Sequence, residues 1–193
     1  MSIGRTESVA LLGLSGSVVE IEVDIADGLP GFSLLGLPDA ALSESRDRVR
    51  AALTNCSEAW PNKKVTVSLS PAWLPKSGSG FDLSIALALL IAQQTLPQTP
   101  FMQTTILGEL ALDGKIRAVR GVLPALIAAY KAGIRRAIVP TANRAEAQLM
   151  SAMEVLTFAT LHEVLMWART GVRPQVQELD LEIDDSASYL DFA

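Results

Sequence analysis

The chain has 193 residues, a formal net charge of −5, one cysteine and one histidine. That length fits one ordinary domain with a short tail, and 49% apolar residues beside 19% charged ones are typical of a globular protein. The longest apolar run, residues 85–92, is far shorter than the roughly 20 residues that span a bilayer. One cysteine excludes an internal disulfide, and the N-terminus carries no secretory pattern. We therefore expect a cytoplasmic protein without a membrane segment.

The negative charge is concentrated at the C-terminal end. Six of the 21 acidic residues but only one of the 16 basic residues lie at positions 171–193, which leaves 15 of each in residues 1–170. This distribution predicts a neutral domain over residues 1–170 and an acidic linker over residues 171–193. A neutral domain gives no global electrostatic reason to bind nucleic acid, so a DNA surface would have to be a local patch.

The first hundred residues predict an antiparallel start followed by helices. Strands are expected at residues 8–14, 18–25, 31–37 and 64–69, with a turn at Ser15-Gly16-Ser17 between the first two. Asp39 is expected to cap a helix that runs to about residue 55. A loop rich in proline, glycine and serine occupies residues 71–80, and Asp82 is expected to cap the apolar helix that follows, residues 83–94.

The remaining residues predict a hairpin and then alternating helices and strands. Strands at 104–112 and 115–119 flank Asp113-Gly114, a strong hairpin turn signal. Helices are expected at 122–132, 143–150 and from Thr160 to about 170, with strands at 136–139 and 154–158 between them. This element order predicts an α/β domain built as a two-layer sandwich.

The loop before the apolar helix is a candidate anion-binding site, formed by Lys76, Ser77, Gly78, Ser79 and Gly80. Glycines before a helix free backbone N–H groups to face an anion, and a lysine there would add positive charge. The alternative is that the glycines only allow a tight turn into a buried helix. In that case the carboxylate of Asp82 satisfies the same donors and repels a phosphate.

Catalytic and metal-binding patterns are otherwise missing from the sequence. His162 is the one histidine, and no spacing of Cys, His and Asp suggests a metal site. No phosphate-binding P-loop is present, because Gly114-Lys115 is followed by Ile116 and forms a hairpin turn instead. We therefore expect no catalysis, no metal and no ATP hydrolysis from these residues.

Four segments in the same order resemble the proteolytic domain of the Lon proteases. They are Pro75-Lys76-Ser77-Gly78-Ser79-Gly80, residues 108–117, Arg120-Gly121-Val122 and Ile138-Val139-Pro140. In that family a serine in the first segment is the nucleophile and a lysine after the third is its base. The resemblance places the serine position on Gly80 and the lysine position on Leu123. A Ser–Lys pair needs a hydroxyl next to an amine, so the protease interpretation fails despite the nearby hydroxyls of Ser77 and Ser79.

A fuller resemblance links almost the whole chain to the N-terminal, Lon-like region of the magnesium-chelatase-like ComM/YifB family of AAA+ ATPases. The segments that carry it are residues 28–32, 35–39, 44–52, 70–72, 74–76 and 81–83. The resemblance implies the Lon-type two-layer fold, which is shared with the second domain of a small-subunit ribosomal protein. It also implies that an AAA+ module follows, with ATP and Mg²⁺ bound there and not here. Family members are homo-hexameric ATPases, known as DNA branch-migration helicases in natural transformation.

The basic residues are weighed in that light as candidate DNA contacts. Arg46 and Arg50 are four residues apart and share a helical face, while Lys115, Arg117 and Arg120 lie on and just after the predicted hairpin. Phosphate contacts use such side chains when they converge on one face. The resemblance therefore implies a scaffold and DNA-contact domain whose partners are its own AAA+ module, neighbouring subunits and, weakly, DNA.

One alternative remains open on the sequence alone. The neutral charge is equally compatible with a protein-interaction module of a chelatase-like or chaperone-like ATPase that never touches nucleic acid. Trp60 and Trp73, each beside a proline, could stack on a base in the first case or fill a domain contact in the second.

Overall fold

A computed structural model describes residues 3–173 of the chain. The linker predicted for residues 171–193 lies, beyond Arg173, outside the described residues. The strands of the described part are β1 (Ile3–Leu12), β2 (Ser15–Ala26), β3 (Gly31–Leu35), β4 (Lys64–Ser70), β5 (Thr104–Ile106), β6 (Glu109–Leu110), β7 (Ile116–Arg117), β8 (Arg136–Pro140) and β9 (Glu154–Phe158). The helices are α1 (Ala40–Ser43), α2 (Ser45–Asn55), α3 (Asp82–Ala92), α4 (Val122–Lys131), α5 (Arg144–Ala147) and α6 (Leu161–Thr170). Short 3₁₀ turns occupy Thr99–Phe101 and Thr141–Asn143.

Seven of these strands form one mixed sheet in the order β3-β4-β2-β1-β5-β8-β9. β2 pairs antiparallel with both β1 and β4, whereas β3–β4, β1–β5, β5–β8 and β8–β9 are parallel pairs. The strands β6 and β7 form a separate hairpin. The prediction of a mixed α/β domain is therefore confirmed.

Helices pack on both faces of the main sheet, against two separate apolar clusters. The larger cluster lies between one face and the helices α2, α3 and α6, and it contains the alternate side chains Val19, Ile21 and Val23 of β2. The smaller cluster lies on the opposite face, where α4 and α5 pack against residues such as Val9 and Val139. The prediction of two layers therefore holds only where one face of the sheet is covered by helices. Where α4 and α5 cover the second face, the domain has three layers.

The β1–β2 hairpin differs in detail from its prediction. β1 begins at Ile3, five residues before its predicted start. The residues that face the core at this end, such as Gly4 and Thr6 against α3, are small or polar where apolar residues normally stand. Its alternation is therefore hidden in the sequence. The turn is at Gly13-Leu14, with a positive φ at Gly13, and not at Ser15-Gly16-Ser17, which already belongs to β2.

Local side chains determine where several helices and strands begin or end. Asp39 caps α1 by accepting a hydrogen bond from the Leu42 N–H at 2.8 Å, and Thr160 caps α6 as expected. The helix predicted after Asp39 is divided at Glu44 into α1 and α2. The hairpin predicted around Asp113-Gly114 exists, but only as β6 and β7, because residues 104–106 join the main sheet as β5. No helix in residues 3–173 is long and apolar enough to cross a membrane.

Candidate functional site

The glycine loop of residues 77–80 forms one wall of a cleft of about 390 Å³. The opposite wall comes from the segment that leads into α4, which contributes Val119, Arg120 and Gly121. Val9 and Leu11 of β1 close the floor. The fold thus brings four of the five loop candidates together with Arg120, a candidate that sequence reasoning placed in a different group.

Two carboxylates hold the loop in place. Asp39 Oδ2 accepts a hydrogen bond from the Gly78 N–H at 3.0 Å, and the Ser79 hydroxyl donates to the carboxylate of Glu109. Gly78 has a φ of +84°, a left-handed conformation that favours glycine. Because a carboxylate already occupies the Gly78 N–H and a second one lies beside Ser79, the loop offers less to an anion than its sequence suggests.

Lys76 does not line this cleft. Its side chain is buried, and its ammonium group donates to the backbone carbonyl of Pro71. Burial lowers the pKa of Lys76. The ammonium group of Lys76 therefore points into the protein, where it binds the backbone of the segment that follows β4, and not toward the loop.

Beneath the loop, Asp82 forms a buried ion pair with Arg48 of α2. Asp82 is fully buried, and the Arg48 guanidinium donates to both of its carboxylate oxygens, at 2.6 and 3.0 Å. The Leu110 N–H donates to the same carboxylate at 3.2 Å. The expected N-cap role of Asp82 is wrong, since it lies in the first turn of α3 and makes no capping bond. Burial outweighs these contacts and raises the pKa of Asp82 to about 6.

The positions that correspond to the Lon serine and lysine lie on opposite sides of the cleft. Gly80 lines the loop wall, while Leu123 is in the first turn of α4, beside Gly121 and Ala125 of the other wall. The backbone N–H of Leu123 donates to Glu146 at 2.9 Å. Within residues 3–173, no lysine, histidine or cysteine lines the cleft. Its hydroxyl groups, those of Ser77 and Ser79, therefore have no neighbouring amine to activate them.

The candidate DNA contacts are exposed, and several are paired with acids. Arg46 lies 3.9 Å from Asp47, Lys115 lies 3.1 Å from Asp113, and Arg117 lies 3.3 Å from Glu109. Arg50 and Arg120 form no ion pair with any residue in the range 3–173. Arg48 pairs with Glu44 at 3.6 Å, but its main partner is Asp82.

The β6–β7 hairpin packs directly against the C-terminal half of α2. The Asn55 side chain donates to the Leu112 carbonyl at 2.7 Å, and a Cβ at Gly114 would meet the Cys56 sulfur at 2.8 Å. The basic residues of α2 and those of the hairpin, Lys115 and Arg117, therefore belong to adjacent elements. Arg120 belongs instead to the cleft.

The two candidate aromatic residues have different environments. Trp60 packs against Phe32 with ring centroids 5.9 Å apart and joins the main core. Trp73, by contrast, is 74% exposed on the loop after β4. Only Trp73 remains available to a partner.

Comparison with known proteins identifies the family of this chain. The model of the family described as subunit ChlI of Mg-chelatase matches residues 21–143. An uncharacterized protein of Mycobacterium tuberculosis is 49% identical over 193 residues, 99% of this chain and 38% of the relative. The competence protein ComM of Haemophilus influenzae is 41% identical over 86% of this chain and 33% of its own length. The uncharacterized protein YifB of Salmonella typhimurium is 43% identical over 78% of this chain and 30% of its own length.

A more distant similarity reaches the Lon proteases. The Lon protease of Salinispora arenicola is 25% identical over 93% of this chain and 24% of its own length. The chain thus spans less than two fifths of the length of each of these relatives. It belongs to the family of the Mg-chelatase subunit ChlI, and it is homologous to the N-terminal region of ComM and YifB.

Proposed function

We propose that this chain is the non-catalytic N-terminal domain of a longer AAA+ ATPase, where it acts as a scaffold between subunits and as a weak DNA contact. The observation that carries the proposal is the pair of adjacent elements, α2 and the β6–β7 hairpin, that present exposed cations on a domain of otherwise balanced charge. Membership of the ChlI family and coverage of a third of ComM support the larger context. ATP and Mg²⁺ belong to the module that follows in the family.

The non-catalytic part of the proposal depends on the glycine-loop cleft. Its two walls carry Gly80 and the turn of Leu123 where a Lon protease carries its serine and lysine. The proposed fold is of the Lon type, because the same ordered segments that resemble Lon form both walls. A domain that keeps this architecture without the reactive side chains serves contact and assembly, which includes the formation of a homo-hexameric ring.

The exposed cations of α2 and the hairpin favour DNA binding, but the affinity of one domain should be low. Each of Arg46, Lys115 and Arg117 is near an acid, so a phosphate must compete with that acid for the cation. One copy of the domain should bind DNA with a Kd of roughly 10⁻⁴ M or weaker, the weak end of non-specific binding. A ring presents several copies to one duplex and gains affinity by avidity.

Fluorescence anisotropy of a labelled 40-base-pair duplex tests the DNA proposal in the full-length ATPase. The double variant Arg46→Ala/Arg50→Ala should weaken binding about tenfold, because it removes two cations per subunit that share one face of α2. Lys131→Ala, a single exposed cation in the last turn of α4, is the control and should change affinity less than twofold. Equal affinity of the double variant and the wild type would remove α2 from the DNA surface.

The second candidate function is a protein-interaction module without nucleic acid, and large exposed apolar residues on and near the edge strand of the sheet favour it. Leu35 and Leu37, on the edge strand β3 and just after it, are more than half exposed, and Trp73 is exposed on the loop that follows the neighbouring strand. Exposed apolar surfaces of this kind mark protein contacts. If Trp73→Ser disrupts assembly of the full-length protein while the Arg46→Ala/Arg50→Ala variant keeps wild-type DNA affinity, the interaction function takes the lead.

A further inference from the structure

A second cleft, of about 820 Å³, lies at the opposite end of β1 from the glycine loop. The first residues of β1 form one side, and the segment between α3 and β5, residues 94–103, forms the other. Much of the lining is apolar and includes Ile91, Leu96, Phe101 and Met102. A concave apolar site with a few polar groups is the usual form of a small-ligand pocket.

Glu7 supplies an uncompensated negative charge in this cleft. Its carboxylate oxygen Oε2 is buried and has no hydrogen-bond partner among residues 3–173. It faces Glu20 across the β1–β2 pair, since these two residues are register partners. Burial and the charge of Glu20 both raise the pKa of Glu7. A buried carboxylate without a partner costs free energy, so a cation placed beside it would be stabilising.

The neighbouring arginine does not provide that cation. Arg5 Nε lies 2.8 Å from Glu22 and 3.5 Å from Glu20, so its charge is engaged by the acids of β2. Thr105, which pairs with Glu7 on the other side, is fully buried, and its hydroxyl also has no partner among the described residues. The two register partners of Glu7 therefore leave its carboxylate available to a ligand.

The edge of β1 limits what kind of ligand can enter. β1 pairs with β5 at Glu7 and Thr105, and no other strand of the described part of the chain pairs with residues 3–6 on that side. The Gln98 side chain fills this gap, because its amide accepts from the Arg5 N–H at 3.1 Å and donates to the Arg5 carbonyl at 2.7 Å. With these groups satisfied, the edge does not invite strand addition. The cleft is therefore suited to a side chain or a small molecule.

We propose that this cleft binds a primary amine on an apolar stem, the chemistry of a lysine side chain, with Glu7 as its counter-ion. The ammonium group pairs with the carboxylates of Glu7 and Glu20, which both line the cleft, while the methylene stem packs on the exposed side chains of Ile3 and Met102. The negative charge of the site disfavours a phosphate group, so this surface is distinct from the proposed DNA surface.

Isothermal titration of the full chain with pentylamine at pH 7.5 tests the assignment. We expect saturable binding with a Kd on the order of 1 mM, which is reasonable for a ligand of six heavy atoms. Pentanol, which has the same stem without the charge, should bind at least tenfold more weakly. Glu7→Gln should weaken pentylamine binding about tenfold or more. Asp47→Asn, a control that removes an exposed acid of α2 outside the cleft lining, should change it less than twofold.

Urea unfolding separates a ligand role of Glu7 from a structural one. Glu7→Gln removes a buried, repelled charge and should raise the unfolding midpoint, so weaker binding cannot be attributed to a damaged fold. Equal binding of pentanol and pentylamine, or undiminished pentylamine binding by the Glu7→Gln variant, would overturn the proposal. Failure of pentylamine to bind the wild type at 20 mM, about twentyfold above the expected Kd, would overturn it as well.

Discussion

Removal of one partner of the Arg48–Asp82 ion pair should destabilise the domain more than removal of both. Asp82→Ala takes two charge-assisted hydrogen bonds from Arg48 and one acceptor from the Leu110 N–H. Arg48→Met leaves the Asp82 carboxylate fully buried and unpaired. Either change leaves a charged group without its partner in the region enclosed by α2, α3 and β6. An unpaired buried charge lowers the free energy of unfolding.

The expected magnitudes follow from burial. Breaking a buried ion pair costs about 3–5 kcal/mol. The Arg48 side chain is 18% exposed and also donates to the Ala41 carbonyl. Because this pair is not fully enclosed, each single variant should fall at the low end of that range. We therefore expect a loss of about 3 kcal/mol for each single variant. The double variant removes the acceptor of the Leu110 N–H and the Arg48 donor to the Ala41 carbonyl, and should lose about 2 kcal/mol. The two changes should therefore be strongly non-additive.

Urea unfolding of the four proteins at pH 7.5, followed by circular dichroism, measures this cycle. The pH dependence gives an independent check, because the pKa of Asp82 is raised to about 6 from 3.8. The folded state then binds the proton more tightly than the unfolded state, so the contribution of this group to stability decreases as pH rises from about 4 to about 6 and is constant above. That slope should disappear in Asp82→Ala. A double variant that loses the sum of the two single losses would refute the coupling on which this reasoning depends.

Three further predictions concern chemistry and packing. The full chain should not cleave casein or fluorogenic peptides after prolonged incubation, and cleavage that Ser77→Ala or Ser79→Ala abolishes would contradict the non-catalytic assignment. It should not bind fluorescent ATP at micromolar concentration, and saturable binding would show that the glycine loop holds phosphate. Gly4→Ala should cost about 2–3 kcal/mol in urea unfolding, because the new Cβ would lie 1.9 Å from the Ala88 carbonyl oxygen of α3. Gly31→Ala, whose nearest neighbour atom would be 3.8 Å away, should change stability by less than about 1 kcal/mol, and equal losses in the two variants would contradict the packing account.

Local signals in the sequence were sufficient for most elements. Asp39 and Thr160 marked helix starts because a capping side chain acts within three residues of its own position. The strand β2 was predicted because its apolar residues Val19, Ile21 and Val23 alternate with polar ones, and these three pack on the core. By contrast, β5 was assigned to the hairpin because its pairing with β1 and β8 depends on residues distant in the chain.

The candidate site was harder to predict for the same reason. Sequence spacing placed Lys76 in the anion loop, but its direction is set by the Pro71 carbonyl and by burial. Asp82 looked like a helix cap, while its actual partner is 34 residues away. Glu109 escaped notice because its contacts with Ser79 and Arg117 form only when the hairpin packs on the loop. Charges and amides act over distances that a single sequence does not reveal.

The most direct test of the central claim is the salt dependence of DNA binding by the assembled full-length ATPase. The variant Lys115→Ala/Arg117→Ala removes the two cations of the β6–β7 hairpin, which lie beside Asp113 and Glu109. Each lost phosphate contact should reduce the slope of log K against log salt by about 0.9, so the variant should bind more weakly and with a shallower slope while its unfolding midpoint stays unchanged. Wild-type affinity and slope in this variant would contradict a DNA surface at the hairpin and favour the interaction module.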